Sequence, residues 1–394
     1  FVRGEDPISF PIKIDPEDSS VANSKYELVK GKKIPIESED RSLLKTFPSN
    51  MSEWHFKEFS KVNNTGESSI DNTNTGLPVS IIQASNIIYP NPDKIDNSDF
   101  INTPGGTKRV DFDRCFPVSG KDKIHSIHPN LTNFQRTGKS FFHRDNISTF
   151  STKFKTIIDS ILTCKGIVFI YSDYLTHGVK ALAMALECNG FNRLTFKSGK
   201  TEKSNFLNNY DTDTEGFCAN NNKFYEDLNA VQRKGFKKAN YILLDGSTDK
   251  DILNELVKEA RGEGASREKN VYGENIKVIL GSQVVKQGIS LKNVREVHIL
   301  EPWFHLNEMK QAAGRAVRRK SHIALDEDER NVTIFLHIAI KPVSHTLDSQ
   351  DVEMIDERTY RKAFAKLKNM SNIDRLIKQN AVDCQLNKHI NFYS

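Results

Sequence analysis

The chain has 394 residues, 37% of them apolar, and its 56 basic and 51 acidic side chains leave a net charge of +5. That length suggests two or three domains, and so mild a charge permits nucleic-acid binding without arguing for it. Five cysteines, Cys115, Cys164, Cys188, Cys218 and Cys384, are odd in number and never spaced as CxxC. They exclude a disulfide frame or a cysteine zinc site and point to a reducing compartment, while no apolar run nears the roughly 20 residues of a membrane helix.

Residues 1–45 show neither helical nor strand periodicity and carry Pro7, Pro11 and Pro16, so an extended segment pinned onto another surface is expected. A chain starting at Phe1 reads as a piece of a longer protein. The stretch MSEWHFKEFSKV (51–62) predicts a short amphipathic helix. Residues 63–135 are rich in Asn, Ser, Thr, Gly and Pro and predict loops with short elements. From about residue 150 the character changes. KGIVFIYS (165–172) is a β-branched apolar run of the kind that forms a buried strand. LTHGVKALAMALECNG (175–190) carries Val179, Leu182, Ala183 and Leu186 at helical spacing, with Gly190 as a stop. NYILLDGST (240–248) predicts a strand entering a turn, and DKDILNELVKEARG (249–262) a helix.

IKVILGS (276–282) and VREVHILEP (294–302) predict two further strands, followed by a helix over 306–319 and a strand at 331–340; residues 350–390 read as helical. The polar span 200–235 interrupts this rhythm as an insertion. Strands alternating with helices predict an α/β fold, a parallel sheet covered on both faces. The division is an extended segment 1–45, a loop-rich insertion 46–149, an α/β lobe 150–345 and a helical extension 346–394.

Ligands of such sheets gather at the carboxyl ends of the strands. Three loops leave those ends with suggestive chemistry: Tyr171-Ser172-Asp173, GSQVVKQGIS (281–290) and QAAGRAVRRKSH (311–322). On a continuous helix Gln311, Arg315 and Arg318 would share one face. Guanidinium is always charged and meets phosphate oxygens with two parallel donors, so a pair of arginines there suits the phosphates of a nucleotide; a solvated basic face is the competing reading. Two stretches imitate a phosphate-binding loop, Gly138-Lys139-Ser140 and Gly199-Lys200-Thr201, but Asn133 and Leu194 stand where the pattern needs its first glycine. DEDER (326–330) reads as a charged loop. Cys115, His125 and His128 lack a fourth metal ligand at convincing spacing. The sequence thus offers arginines for phosphates and nothing that cradles phosphates or holds magnesium.

The order of these motifs resembles the second RecA-like lobe of superfamily 2 helicases and nucleic-acid-dependent ATPases. GIVFIYS resembles motif IV, LLDGST a segment of Snf2-like members, GSQVVKQGIS motif V, and QAAGRAVRR motif VI. RGEDPISFP, FSTKFKTIIDSIL, VREVHILEPWFHLNEMKQAAGRAVRRKSH and NAVDCQLN extend the likeness to ATPases of large cytoplasmic DNA viruses: the poxvirus early transcription factor small subunit and nucleoside triphosphatase I group, with mimivirus-like and asfarvirus-like relatives. The likeness covers 150–394 well, 1–20 and 45–60 in part, and the Asn-rich middle hardly at all. Ser290 stands where many members have Asp, and Ala312 where some have Arg.

The resemblance implies an ATP-dependent helicase or translocase whose ATP and Mg²⁺ are bound mainly by a first lobe outside this chain, with this chain alone inactive. It implies Arg318 and then Arg315 as arginine fingers. Gln311, Gly288, Ser290 and Gly314 fall at nucleotide-binding positions, although Gln311 serves equally well as a cap of the strand end. Ser172, Ser282 and Lys286 fall at nucleic-acid contacts. The implied partners are DNA or RNA, the first lobe, and viral RNA polymerase or transcription factors, in the host cytoplasm, its viral factories or the virion. A catalytically silent RecA-like subunit that binds nucleic acid within a transcription complex is the alternative.

Overall fold

The computed structural model describes residues 10–21, 24–29, 32–41, 44–67, 79–95, 103–119, 124–133, 137–208, 216–266, 269–286, 288–345 and 352–381. Its centre is one ten-stranded sheet. The strands are β1 (Ile12–Ile14), β2 (Ser20–Val21), β3 (Lys45–Asn50), β4 (Ile167–Tyr171), β5 (Asn192–Lys197), β6 (Lys200–Lys203), β7 (Asn240–Leu244), β8 (Val278–Gly281), β9 (Val294–Ile299) and β10 (Asn331–Ile340). Their order is β6-β5-β7-β8-β4-β9-β10-β3-β2, with β1 also on β10. Every pairing from β5 to β3 is parallel; β6 and β2 close the two edges antiparallel. This is the expected RecA-like α/β sheet.

The central strands are buried on both faces, and their side chains divide by the period of two. Val168, Ile170, Tyr241, Leu243, Val278 and Leu280 point to one face. There they meet α1 (Glu53–Glu67), α2 (Val79–Asn86), α3 (Thr152–Thr163) and α4 (Lys180–Cys188). Ile167, Phe169, Ile242, Leu244, Ile279 and Val297 point to the other. There they meet α5 (Lys250–Ala260), α6 (Leu306–Ala313) and the first turns of α7 (Ile355–Gln379).

The described part of the N-terminal segment lies against this sheet, and residues 1–9, with Pro7, lie outside the described residues. β1 runs along the start of β10, Ile12 opposite Asn331, and β3 along its end, Phe47 opposite His337. β3 straddles the boundary placed at residue 45, so the first two sequence-defined segments share one strand. The loop-rich stretch that follows is core rather than periphery. Trp54, Ile82, Ile88, Tyr89, Phe112, Phe116, Phe141, Phe142 and Phe150 are buried in the same cluster as Ile157 of α3 and Leu182 of α4. The polar span after residue 200 contains β6 and a small hairpin, Phe217–Cys218 with Lys223–Phe224.

A charged network ties these layers together. Lys153 of α3 and Asp356 of α7 pair at 2.6 Å, both fully buried. The Lys153 ammonium also donates to Asn86 Oδ1 at 3.0 Å and the Leu300 carbonyl at 3.2 Å. Asp356 accepts from Ser85 Oγ at 2.9 Å and from the Ala339 amide at 2.8 Å. Removing one partner of a buried pair strands the other charge, which costs about 3–5 kcal/mol. Lys153→Met should therefore lower the urea-unfolding free energy by about that much. Lys153→Met/Asp356→Asn should be more stable than Lys153→Met alone, because no buried carboxylate is then left without its cation; a double variant no better than the single would refute the pairing.

Candidate functional site

The loops at the carboxyl ends of β4, β8 and β9 lie side by side, because those strands are neighbours in the sheet. Each contributes differently from what the sequence suggests. After β4 the chain enters a kinked turn, Leu175–Val179, in which His177 and Gly178 leave helical geometry. A side chain at Gly178 would collide with Ser172 Oγ, since a Cβ there lies 2.0 Å from it. That close approach seals Ser172 inside. Its hydroxyl is fully buried and donates to Glu301 Oε2 at 2.9 Å. Ser172, expected at a nucleic-acid contact, is thus placed in the interior with its hydroxyl already engaged.

Glu301 follows β9 and is the hub of this interior. It also accepts from the Asp173 amide at 2.6 Å and from Asn86 Nδ2 at 3.0 Å. Burial, and then the neighbouring Asp173 charge, push its carboxyl up to about 7. Nothing in the sequence marks Glu301 except its position, an acid directly after a buried strand. Asn86 links it to the Lys153–Asp356 pair, so the motif IV loop hangs on the same network that joins α3 to α7.

After β8, Ser282 is buried. Its amide donates to the Leu244 carbonyl at 3.0 Å, and its hydroxyl lies 3.5 Å from the same atom. A short turn, Gln283–Lys286, follows. The Lys286 side chain lies outside the described residues. Gly288 is exposed with φ +72°, the left-handed region that favours glycine. Ser290 is half-buried, and its carbonyl accepts from Arg261 Nε at 2.7 Å.

The helix after β9 stops earlier than its sequence suggests. α6 ends at Ala313 with Gly314 as its cap, so Arg315 and Arg318 stand beyond the helix and do not share its face with Gln311. Two forces end it. Glycine is a poor helix former, and the Arg315 carbonyl turns outward to accept from the Leu291 amide at 2.9 Å. Ala312, Ala313 and Ala316 pack into the core beneath this turn. Gln311 is exposed on the last turn of the helix, and Arg319 is exposed beyond it. Arg318 is half-buried, and its Nη1 donates to Ser290 Oγ in a short contact. Burial, and then the positive charge of Arg318, lower the Arg315 pKa below its usual range. Arg315, Arg318, Ser290 and the Gly288 turn are therefore brought together, while Gln311 stands apart on the helix.

The two imitation phosphate loops are resolved by geometry. Ser198 and Gly199, both at positive φ, form the tight turn of the β5–β6 hairpin, the backbone such two-residue turns require. Gly138 sits in a turn where Lys139 pairs with Asp145 at 3.1 Å. Neither is a strand-to-helix loop. DEDER forms a short 3₁₀ turn, Glu327–Glu329. His125 Nδ1 lies 3.0 Å from the Phe116 carbonyl, His128 caps a short helix, and among the described residues no three His, Cys, Asp or Glu side chains converge to hold a metal ion.

A family model described as "Helicase conserved C-terminal domain" matches residues 202–320. The protein named "Putative ATP-dependent RNA helicase R563" of Acanthamoeba polyphaga mimivirus is 30% identical over 249 residues, covering 63% of this chain and 35% of that protein. A "Termination factor NPH-I homolog" of African swine fever virus is 28% identical over 246 residues, 61% of this chain and 33% of that protein. The chain thus spans about a third of the length of these curated relatives. Among solved structures, the C-terminal part of the Fun30 ATPase domain aligns over 82% of this chain and 96% of that one, at 13% identity and a TM-score of 0.38. The fold assignment rests on strand order, not on that alignment.

Glu301 generates a pH prediction. Its folded pKa, about 7, lies above its ordinary value of 4.5, so the folded state holds the proton more tightly than the unfolded one. Stability from this group is full below pH 4.5 and is lost as pH rises through 7, by about 3 kcal/mol at most. Urea-unfolding free energies measured from pH 4.5 to 7.5 should fall more steeply for the wild type than for Glu301→Gln; equal slopes would refute it.

Proposed function

We propose that this chain, whose residues 202–320 match a helicase C-terminal domain, is the second lobe of a superfamily 2 ATP-driven nucleic-acid motor. The lobe completes, with Arg318 and Arg315, an ATP site whose other half lies on a first RecA-like lobe. The observation that carries this reading is the Arg318–Ser290 contact, beside Arg315 at the carboxyl ends of the strands. It fixes one guanidinium in place beside a second, Arg315, whose pKa is lowered by burial and then by the Arg318 charge.

The residues present fit half of a nucleotide site. Arg315 and Arg318 suit phosphate oxygens. The Gly288 turn lets backbone approach a ligand closely. Gly314 sets where the helix ends, and Ser290 holds Arg318. The described residues supply neither a phosphate-cradling loop nor a metal cluster, so holding the Mg²⁺ and the β- and γ-phosphates falls to the first lobe. ATP hydrolysis supplies the free energy for movement. What this chain's residues add is charge fixed in advance where negative charge redistributes in the transition state, an effect worth about 10³–10⁵ in rate for arginine fingers.

Nucleic acid would run across the 283–290 loop, contacted by Lys286 and by backbone amides. Ser172 and Ser282, enclosed as they are, serve the loops' shape instead. The relatives named as termination factor homologues support viral transcription as the setting; a cytoplasmic factory or a virion as the place, and polymerase or transcription-factor subunits as partners, are part of the proposal.

Steady-state ATPase kinetics on the full-length protein test the reading, with melting curves to confirm folding. Arg318→Ala and Arg315→Ala should each lower kcat by about 10³-fold or more and leave nucleic-acid affinity within about twofold. Arg318→Lys should not rescue, because an ammonium lacks the planar fork. Ser290→Ala, which removes only the anchor, should cost about tenfold in kcat with KM little changed, the worth of a charge-assisted hydrogen bond. Arg319→Ala should behave as wild type. Near-normal kcat in both arginine variants would show a merely solvated basic face. The present chain by itself should release no phosphate from ATP with or without DNA or RNA, and turnover by it would defeat the shared-site reading.

A further inference from the structure

At the opposite end of the sheet, where the chain enters β4, β7 and β8, lies a cleft of about 760 Å³. Four lysines line it, Lys165, Lys237, Lys269 and Lys277, against one glutamate, Glu274. Glu274 accepts from the Tyr272 amide at 2.8 Å.

The floor of this cleft is built. Lys277 is 1% exposed. Its ammonium donates to the Cys164 carbonyl and to Asn222 Oδ1 at 3.1 Å, both neutral acceptors. Asn222 is held in turn, with φ +48° and its Nδ2 on the same Cys164 carbonyl at 2.8 Å. Burial lowers the Lys277 pKa below its usual range, although the neighbouring Glu296 and Glu274 charges pull it back in part. Burying a cation against neutral groups is costly unless an anion offsets it. The other three lysines add positive potential, and low-dielectric walls concentrate that potential in a cleft. At the rim, Tyr272 is tethered through its hydroxyl to Glu329 at 2.9 Å, which sets an aromatic ring beside the lysines.

We propose that this cleft is an anion site for a polyphosphate ligand of nucleoside di- or triphosphate size, distinct from the arginine site at the other end of the strands. The phosphates would lie on Lys277 and its neighbouring lysines, with Asn220 and Asn221 as further donors. Its volume falls in the range of small-ligand pockets, which favours a free polyphosphate over a nucleic-acid strand.

The test is calorimetric titration of the intact chain with inorganic tripolyphosphate at low ionic strength. The wild type should show one site, weakened by added salt as screened charges require. Lys165→Glu/Lys269→Glu, both at exposed positions, should weaken binding at least about tenfold, and so should Lys277→Met. Should Lys277→Met fail to fold, the exposed pair decides. Lys368→Glu/Arg375→Glu on α7 controls for overall charge, and it should bind as the wild type does. Arg318→Ala should also leave the affinity unchanged, which separates this site from the one proposed for ATP. ADP should displace tripolyphosphate from the wild type, and a single-stranded oligonucleotide should not. Undiminished binding by Lys165→Glu/Lys269→Glu, loss of binding in Arg318→Ala, or displacement by the oligonucleotide and not by ADP would each overturn the proposal.

Discussion

One buried ion pair, Lys153 with Asp356, holds the architecture in register. Lys153 comes from the helix before β4 and Asp356 from the helix after β10, more than two hundred positions apart in the chain, and neither is exposed at all. Such pairs seldom repay their desolvation in stability alone. What this one supplies is specificity. Its polar atoms are satisfied only when α2 brings Ser85 and Asn86, β10 brings the Ala339 amide and the end of β9 brings the Leu300 carbonyl to the same point. A shift of any of those elements would leave a charge in the core with too few partners.

Asn86 carries that constraint to the functional edge. Its side chain bridges Lys153 on one side and Glu301 on the other, and Glu301 orders the loop after β4 through Ser172 and Asp173. The loop-rich stretch 46–149 is therefore not an ornament on an α/β lobe. It supplies α2, whose Asn86 holds the Glu301 that anchors the motif IV loop, and it fills one face of the sheet with aromatic rings. These rings were hidden in the sequence because they come from short elements and turns, Phe112 and Phe116 from a seven-residue helix and its cap and Phe141 and Phe142 from a turn, too short to show a sustained period.

The central strands were legible because parallel strands buried on both faces read as unbroken β-branched runs, as IVFIY at β4 and VILG at β8 show. β3 was not. KTFPSN carries Pro48 and only modest apolarity, a composition suited to a strand with little pairing on its outer side. The helix over 306–319 was overextended for the opposite reason. Ala312, Ala313, Arg315 and Ala316 all favour helix, and the spacing of Gln311, Arg315 and Arg318 matches one face of it. A tertiary bond, from the Leu291 amide to the Arg315 carbonyl, overrides that local preference. The helical geometry inferred for the two arginines was wrong.

That error bears on mechanism. On a continuous helix, the reach of each guanidinium would be set by the helix alone. In the structure it is set by the loop after β8, since Leu291 holds the Arg315 backbone and Ser290 holds the Arg318 side chain. The loop after β8, to which sequence reasoning gave both nucleic-acid and nucleotide positions, and the segment that carries the arginines are thus one hydrogen-bonded unit. In the proposed motor, a displacement of the 283–290 loop by nucleic acid has a short covalent path to Ser290 and Leu291, and from there to both arginines. Two hydrogen bonds, Leu291 to the Arg315 backbone and Arg318 to Ser290, are the physical link on which that coupling would depend in the proposed motor.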